Sequence, residues 1–352
     1  MSDVQASVLA DVRNHIGYLT LNRPAGLNAL TLEMVRLLKA QLEHWMQDQQ
    51  VRTVLLSGAG DRAFCAGGDI RTLYDEYKQG STEGIETFFS EEYALDQLIH
   101  AYPKPVIALM DRFVLGGGMG LAQGAGLRMV TERSRLGMPE TGIGYFPDVG
   151  GSYFLPRLPG ELGIYLGVTG VHIGPADALY AGLADVGLPS NKLPELTSHL
   201  DDLDWSRLSP EQAIRMLTFD DFGSADLKRL RPAIDRHFAH KDIPSIRQSL
   251  LDEQNPEWHG WAQATVKLMD SRSPIAMAVT LELLRRGREL SLADCFAMEL
   301  HLDRQWFDKG DIVEGVRALL VDKDKNPRWN PASIDGLDPA EVAGFFKDFN
   351  HA

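Results

Sequence analysis

Cysteine is nearly missing from this chain: Cys65 and Cys295 are the whole supply. Two thiols are too few for a disulfide framework or a four-thiolate zinc site. The ten histidines do not make up the deficit. They are scattered, and the nearest pair in sequence, His237 and His240, has no third ligand beside it, whereas a closed zinc site needs about four ligands. The expectation is no metal. Positive charge is short as well, with 35 Lys and Arg against 49 Asp and Glu and a net charge of −14. Such a balance argues against nucleic acid as a partner, because that binding neutralises phosphates with basic surface. An anionic ligand would need basic groups gathered locally. Also absent is any apolar run near the roughly 18 to 20 residues that a membrane span requires, so no membrane partner is expected. The first 17 residues carry few basic side chains and an acid near the start, unlike a secretory signal or an Arg-rich presequence. From this we expect a cytoplasmic protein.

What is present is the composition of a globular protein, 44% hydrophobic and 24% charged. Short β-rich runs occur at "IGYLTLN" (16–22), "TVLLSG" (53–58), "PVIALMD" (105–111) and "LRMVTERS" (127–134). Helical patterns lie between them, which is the alternation of an α/β fold. Thr31 is placed to cap a helix whose apolar face would be Leu32, Val35, Leu38, Leu42 and Trp45, with Glu33 in its first turn. After about residue 190 the strand signal fades, and Pro189, Pro194, Pro210 and Pro244 punctuate a mostly helical remainder. The working division is an α/β core over 1–190 and a helical region over 191–352.

Two glycine clusters, "FCAGGDI" (64–70) and "VLGGGMG" (114–120), each follow a strand signal and precede a helical one. Each therefore places backbone N–H groups at a helix start, where negative charge is favoured. Together two such turns would make an oxyanion hole, since glycine lets a substrate carbonyl approach the backbone. Taken singly, each cluster reads equally as a tight turn. In "EGIETFFSEEYALDQLIHAY" the apolar stripe is Ile85, Phe88, Phe89, Leu95 and Ile99. Glu92 falls on that stripe, whereas Glu91 lies about 100 degrees away, toward solvent. Glu92 either points into a cavity or pairs with an arginine of another helix.

The stretch "MPETGIGYFPDVGG" (138–151) sets Glu140 and Asp148 among glycines, prolines and apolar residues. Two carboxyls in an apolar pocket push their pKa values apart, so that one acts as base or nucleophile while the other handles protons. The alternative is that each caps a helix. Cys65 beside the first glycine cluster reads as an apolar packer, since no histidine lies near it in sequence.

Taken together, "LNRPAGLNALTLEMV", "AFCAGGDI", "KPVIALMDRFVLGGGMGLA" and "MPETGIGYFPDVGG" resemble the crotonase superfamily, the enoyl-CoA hydratase/isomerase family. The resemblance implies a spiral of ββα units followed by helices, and an acyl-CoA substrate whose thioester oxygen is held by two backbone N–H groups. By that resemblance the donors are Gly68 and Gly117. CoA enters as part of the substrate, no separate cofactor is implied, and homo-oligomers are common in the family.

One departure bears on activity. The family's hydratases carry a glutamate three residues after the middle glycine of "GGG", and here that position is Gly120. Only the second acid, Glu140, is kept. The motifs "EEY", "PETGIGYFPDVGGSYFLPRLPG" and "DIVEGVRALLVDKDKNPRWNP" (311–331) resemble instead a subgroup that hydrolyses 3-hydroxyacyl-CoA thioesters. On that resemblance the binding and catalytic residues are Glu92, Gly117, Glu140 and Asp148, with Glu92 meeting the substrate's 3-hydroxyl. Arg23 and Lys104 are candidates for CoA phosphates, against a structural role for each. The rivals are an enoyl- or dienoyl-CoA isomerase or hydratase, and a non-catalytic acyl-CoA-binding protein.

Overall fold

The computed structural model describes residues 6–219 and 221–349. The chain divides into two compact units, each made of three separate segments.

The first unit comprises Met1–Asp69, Glu91–Leu136 and Ile173–Ala225. Its main sheet takes β1 (Val8–Arg13), β2 (Ile16–Leu21), β3 (Thr53–Gly58), β5 (Val106–Met110), β7 (Leu127–Val130) and β9 (Val186–Gly187), in that spatial order. A smaller sheet takes β4 (Ala63–Cys65), β6 (Phe113–Leu115) and β8 (Arg135–Gly137). Strands β1 and β2 form an antiparallel hairpin, and from β2 onward the main sheet is parallel. The continuous apolar runs of β3 and β5 suit strands covered on both faces. Ile16, Ile107, Leu127 and Met129 meet Leu196, Leu200 and Ile214 in one buried cluster.

The helix Leu32–Gln47 starts as expected: Thr31 accepts a hydrogen bond from the Met34 N–H at 3.2 Å. Its buried face is Met34, Val35, Leu38, Leu42 and Trp45. Leu32, assigned to that face from sequence, is only half-buried. In the first turn the stripe drifts because 3.6 residues per turn carries position 34, not 32, under the next turn.

The second unit comprises Ile70–Ser90, Gly137–His172 and Asp226–Ala352. The expected alternation of strands and helices followed by a helical C-terminal run is what the chain adopts, with helices Asp226–Phe238, Ile243–Leu251, Pro256–Met269, Pro274–Gly287, Leu292–Lys309, Ile312–Val316 and Pro339–Phe345. Pro194, Pro210 and Pro244, which punctuate the sequence, each sit in the first turn of a helix. There the missing N–H costs nothing and the fixed φ is already helical. The helix Leu162–Thr169 is buried along its whole length and packs against Pro274–Gly287.

Candidate active site

In the first unit, β4 pairs with β6 in parallel through Ala63 with Phe113 and Cys65 with Val114. The two glycine clusters therefore leave neighbouring strands at the same end. A Cβ built on Gly117 would stand 3.4 Å from the Gly68 nitrogen and only 2.6 Å from Glu92 Oε1. The structure thus brings Gly68, Gly117 and Glu92 to one point, and any side chain at 117 would fill it. Gly117 opens the helix Gly117–Gln123, so its N–H has no intrahelical acceptor. The first turn is held from beside it, with the Leu30 N–H donating to the Gly67 carbonyl at 2.8 Å and the Asp69 N–H donating to the Leu30 carbonyl at 2.8 Å.

Glu92 lies on the helix Glu83–His100 and is 2% exposed. Its neighbour Glu91 takes Arg36 Nε and Nη2, each at 2.7 Å, near the surface. Helical phase separated the two glutamates correctly. The Cys65 thiol is fully buried and pushed up to about 12 by burial, with Glu92 and Asp96 adding to the shift. It packs, and is not held as a thiolate.

Two basic groups weighed for phosphates are committed elsewhere within this unit. Arg23 reaches Asp69 at 2.7 Å and the Ala29 carbonyl at 3.1 Å. Lys104 donates to the Trp45 and Asp48 carbonyls, closing the C-terminus of the helix Leu32–Gln47.

In the second unit, Glu140 begins a 3-10 turn, Glu140–Ile143, behind Pro139. Asp148 precedes a short helix, Gly151–Phe154, whose N-cap is Gly150. Neither acid occupies an N-cap position. They are 6% and 5% exposed, and Glu140 Oε2 is buried with no hydrogen-bond partner among the described residues. A buried polar atom in that state asks for a reason. Burial first, and then the charge of Asp148, hold the Glu140 carboxyl well above the ordinary carboxylate range. Such a group is a stronger base than a surface glutamate.

The turn carrying Glu140 is fixed on every side. Thr141 donates its hydroxyl to the Val168 carbonyl at 3.1 Å, and its own carbonyl accepts from the Ser273 N–H at 3.1 Å. Trp306 Nε1 donates to the Gly144 carbonyl at 2.8 Å, and the Tyr145 hydroxyl donates to Asp303. Tyr145 also stacks on Phe146, with ring centroids 4.5 Å apart. The tail motif supplies the last wall, because a Cβ on Gly315 would lie 2.0 Å from the Ile143 carbonyl oxygen. Asp311 of that motif accepts from the Ser273 hydroxyl at 2.6 Å and from the Asn330 N–H at 3.0 Å, and burial pushes its carboxyl up to about 6. Arg317 then ties the segment to itself through Glu314, Asp322 and Asp324, each at 2.7 Å.

Sequence reasoning missed Glu299, Asp303 and Asp311. Glu299 accepts from the Gly150 and Ser152 N–H groups just beyond Asp148. A signal existed: on the helix Leu292–Lys309 the buried stripe runs Cys295, Glu299, Leu302, Trp306, with Asp303 beside it. That is the same phase argument that picked out Glu92. Among the described residues no group of three or more His, Cys, Asp and Glu side chains is placed to hold a metal ion, and no helix is long and apolar enough to cross a membrane.

A family model described as enoyl-CoA hydratase/isomerase matches residues 16–346. The 3-hydroxyisobutyryl-CoA hydrolase, mitochondrial, of Gallus gallus is 37% identical over 353 residues, covering 98% of this chain and 90% of the relative. Among solved structures, one described as a carnitinyl-CoA dehydratase from Mycobacterium thermoresistibile superposes with a TM-score of 0.89 at 36% identity, covering 97% of this chain and 96% of the other. Another, described as an enoyl-CoA hydratase from Rhodobacter sphaeroides 2.4.1, gives a TM-score of 0.86 at 36% identity and covers 97% of each chain. These relatives correct one expectation. The cytoplasmic reading is overturned by hydrolases from Gallus gallus to Bos taurus, all mitochondrial by name. The acidic composition of the first 17 residues speaks for those residues alone and was too narrow a basis for a compartment. With the match running through sheet, acid turn and tail motif alike, the chain belongs to the enoyl-CoA hydratase/isomerase (crotonase) family.

Proposed function

We propose that this protein hydrolyses a 3-hydroxyacyl-CoA thioester, with 3-hydroxyisobutyryl-CoA as the substrate and 3-hydroxyisobutyrate and free CoA as products. The observation that carries the reading is the buried Glu140 and Asp148 pair, present while the position of a hydratase's other acid is Gly120. Adding water to a double bond calls on both acids, and losing one general acid or base costs about 10² to 10⁴ in rate. In our reading the N–H groups of Gly68 and Gly117 receive the thioester oxygen as negative charge develops on it. Glu140 acts as the carboxylate at the thioester carbon, and Asp148 delivers and collects protons for water and the departing thiolate. Glu92 accepts a hydrogen bond from the substrate's 3-hydroxyl.

A thiol-release assay across 3-hydroxyacyl-CoA and enoyl-CoA substrates tests this. Free CoA from the hydroxyacyl thioesters is the expected result. An ultraviolet change without thiol would replace the reading with isomerisation or hydration, and binding without turnover would replace it with a non-catalytic role. In a single turnover in ¹⁸O water, label in the Glu140 carboxylate marks direct attack through an anhydride that water opens at the glutamyl carbon.

A further inference from the structure

Asp148 is followed by two residues with left-handed backbone, Val149 at φ +50 and Gly150 at φ +83. Glycine takes that conformation freely, but for a β-branched residue it is an outlier that persists only where its surroundings impose it. The residues just after Val149 are gripped by a side chain from far along the sequence. Glu299 is 0% exposed, its Oε2 accepts from the Gly150 N–H at 2.8 Å, and its Oε1 accepts from the Ser152 N–H at 2.9 Å and the Ser152 hydroxyl at 2.5 Å. The Gly151 N–H closes the same turn by donating to the Asp148 carbonyl at 2.7 Å. The Gly150 and Ser152 N–H groups, on either side of Gly151, thus converge on the one Glu299 carboxyl.

We propose that Glu299 is a positioning residue for Asp148: it grips the N–H groups of the turn that follows Asp148 and so fixes where that carboxylate stands. The assignment rests on the role given above to Glu140 and Asp148. Stability alone does not account for this choice of residue. A local Ser or Asn caps a short helix without burying an acid, whereas Glu299 is fully buried and accepts from the uncharged Gly150 N–H, Ser152 N–H and Ser152 hydroxyl. Asp148 faces it from the turn, and Cys295 and Asp303 flank it on its own helix. Arg157, whose charge acts on Cys295, donates to the Tyr153, Gly287 and Leu290 carbonyls. Burial, with Asp148 adding to it, pushes the Glu299 carboxyl up to about 8 against the pull of three donors.

The test compares Glu299→Ala, Glu299→Gln and Glu140→Gln in steady-state hydrolysis of the hydroxyacyl-CoA thioester. We expect Glu299→Ala to lower kcat by about a hundredfold with KM within about twofold, the mark of a misplaced group and not of lost binding. Glu299→Gln keeps an acceptor for Ser152 but turns an amide toward the Gly150 N–H, and should leave kcat about three- to tenfold below wild type. A folded Glu299→Ala with wild-type kcat, or a loss in which kcat and KM change in parallel with no recovery by Gln, overturns the assignment. Should the Ala variant not fold, Glu299→Gln decides alone, and an unchanged kcat overturns it. Hydrolysis surviving in Glu140→Gln would instead remove the functional reading, so the two failures are told apart.

Discussion

The glycine turns of the first unit present groups that every residue owns, backbone N–H, and present them by leaving side chains out. The acid turn of the second unit does the reverse, spending two carboxylates where apolar packing would be cheaper to maintain. One region is broken by adding a carbon, since a Cβ on Gly117 would sit 2.6 Å from Glu92 Oε1. The other is broken by removing a charge. Backbone donors are held by strand pairing and short-range turns, so their geometry follows from a few neighbouring residues. The acid turn leans on Val168, Ser273, Trp306, Asp311 and Glu299, partners drawn from distant parts of the chain.

The sharpest way to break this contrast is Glu140→Gln. It should abolish CoA release, a loss of at least about 10² to 10⁴, while acyl-CoA binding measured calorimetrically stays near wild type. Wild-type hydrolysis in that variant would remove the acid region from the mechanism. Next in size, Gly117→Ala should lower kcat/KM by about 10² to 10³ by obstructing the donor turn, with the far-ultraviolet circular dichroism spectrum unchanged. If the Ala variant turned over normally, the donor region would lie elsewhere.

The pH dependence then sharpens the acid side. If Glu140 acts ionised, kcat falls as pH drops through its raised pKa, well above the usual carboxylate range. Asp148→Asn removes a negative charge that raises that pKa, so the remaining activity should lose its acid limb at lower pH than wild type. A limb moving upward would contradict the coupling.

The smallest effect concerns stability. The carboxyl of Asp311 sits at about 6 in the fold against 3.8 as a free group. A raised carboxyl contributes stability below its unfolded pKa and loses it as pH rises through the folded one. This group should therefore cost the protein about 3 kcal/mol between pH 4 and pH 7. Asp311→Asn should flatten the denaturant-unfolding profile over that window, and an unchanged slope would show that Asp311 is not the group responsible.

Much of this was legible in the sequence, for a physical reason that differs by region. Strands β2, β3, β5 and β7 announced themselves as short apolar runs, and the Thr31 cap was visible because capping is local. Glu92 was found by phase, because one helix fixes which of two adjacent glutamates turns inward. Glu140 and Asp148 stood out as charges in apolar company. Glu299 and Asp311 were missed because what they hold lies far away in sequence: Glu299 binds a turn 149 positions earlier. Periodicity could have flagged Glu299 as buried, but no local pattern names the partner of a buried acid. Localisation failed differently, since it was argued from the composition of the first 17 residues alone.

The segmented make-up of the second unit has a consequence for how the molecule is made. Its parts are Ile70–Ser90, Gly137–His172 and Asp226–Ala352, so a chain growing from its N-terminus releases Glu140 and Asp148 long before Glu299 and Asp311 exist. Until those arrive, the turn with Val149 at φ +50 lacks the acceptor that holds it, and the two acids have no reason to stay buried. Synthesis proceeds at about 5 to 20 residues per second, so the acid turn waits on the order of ten seconds for its partners. The acid turn, encoded before the chain's midpoint, thus gains its full set of partners only once the C-terminal part of the chain exists.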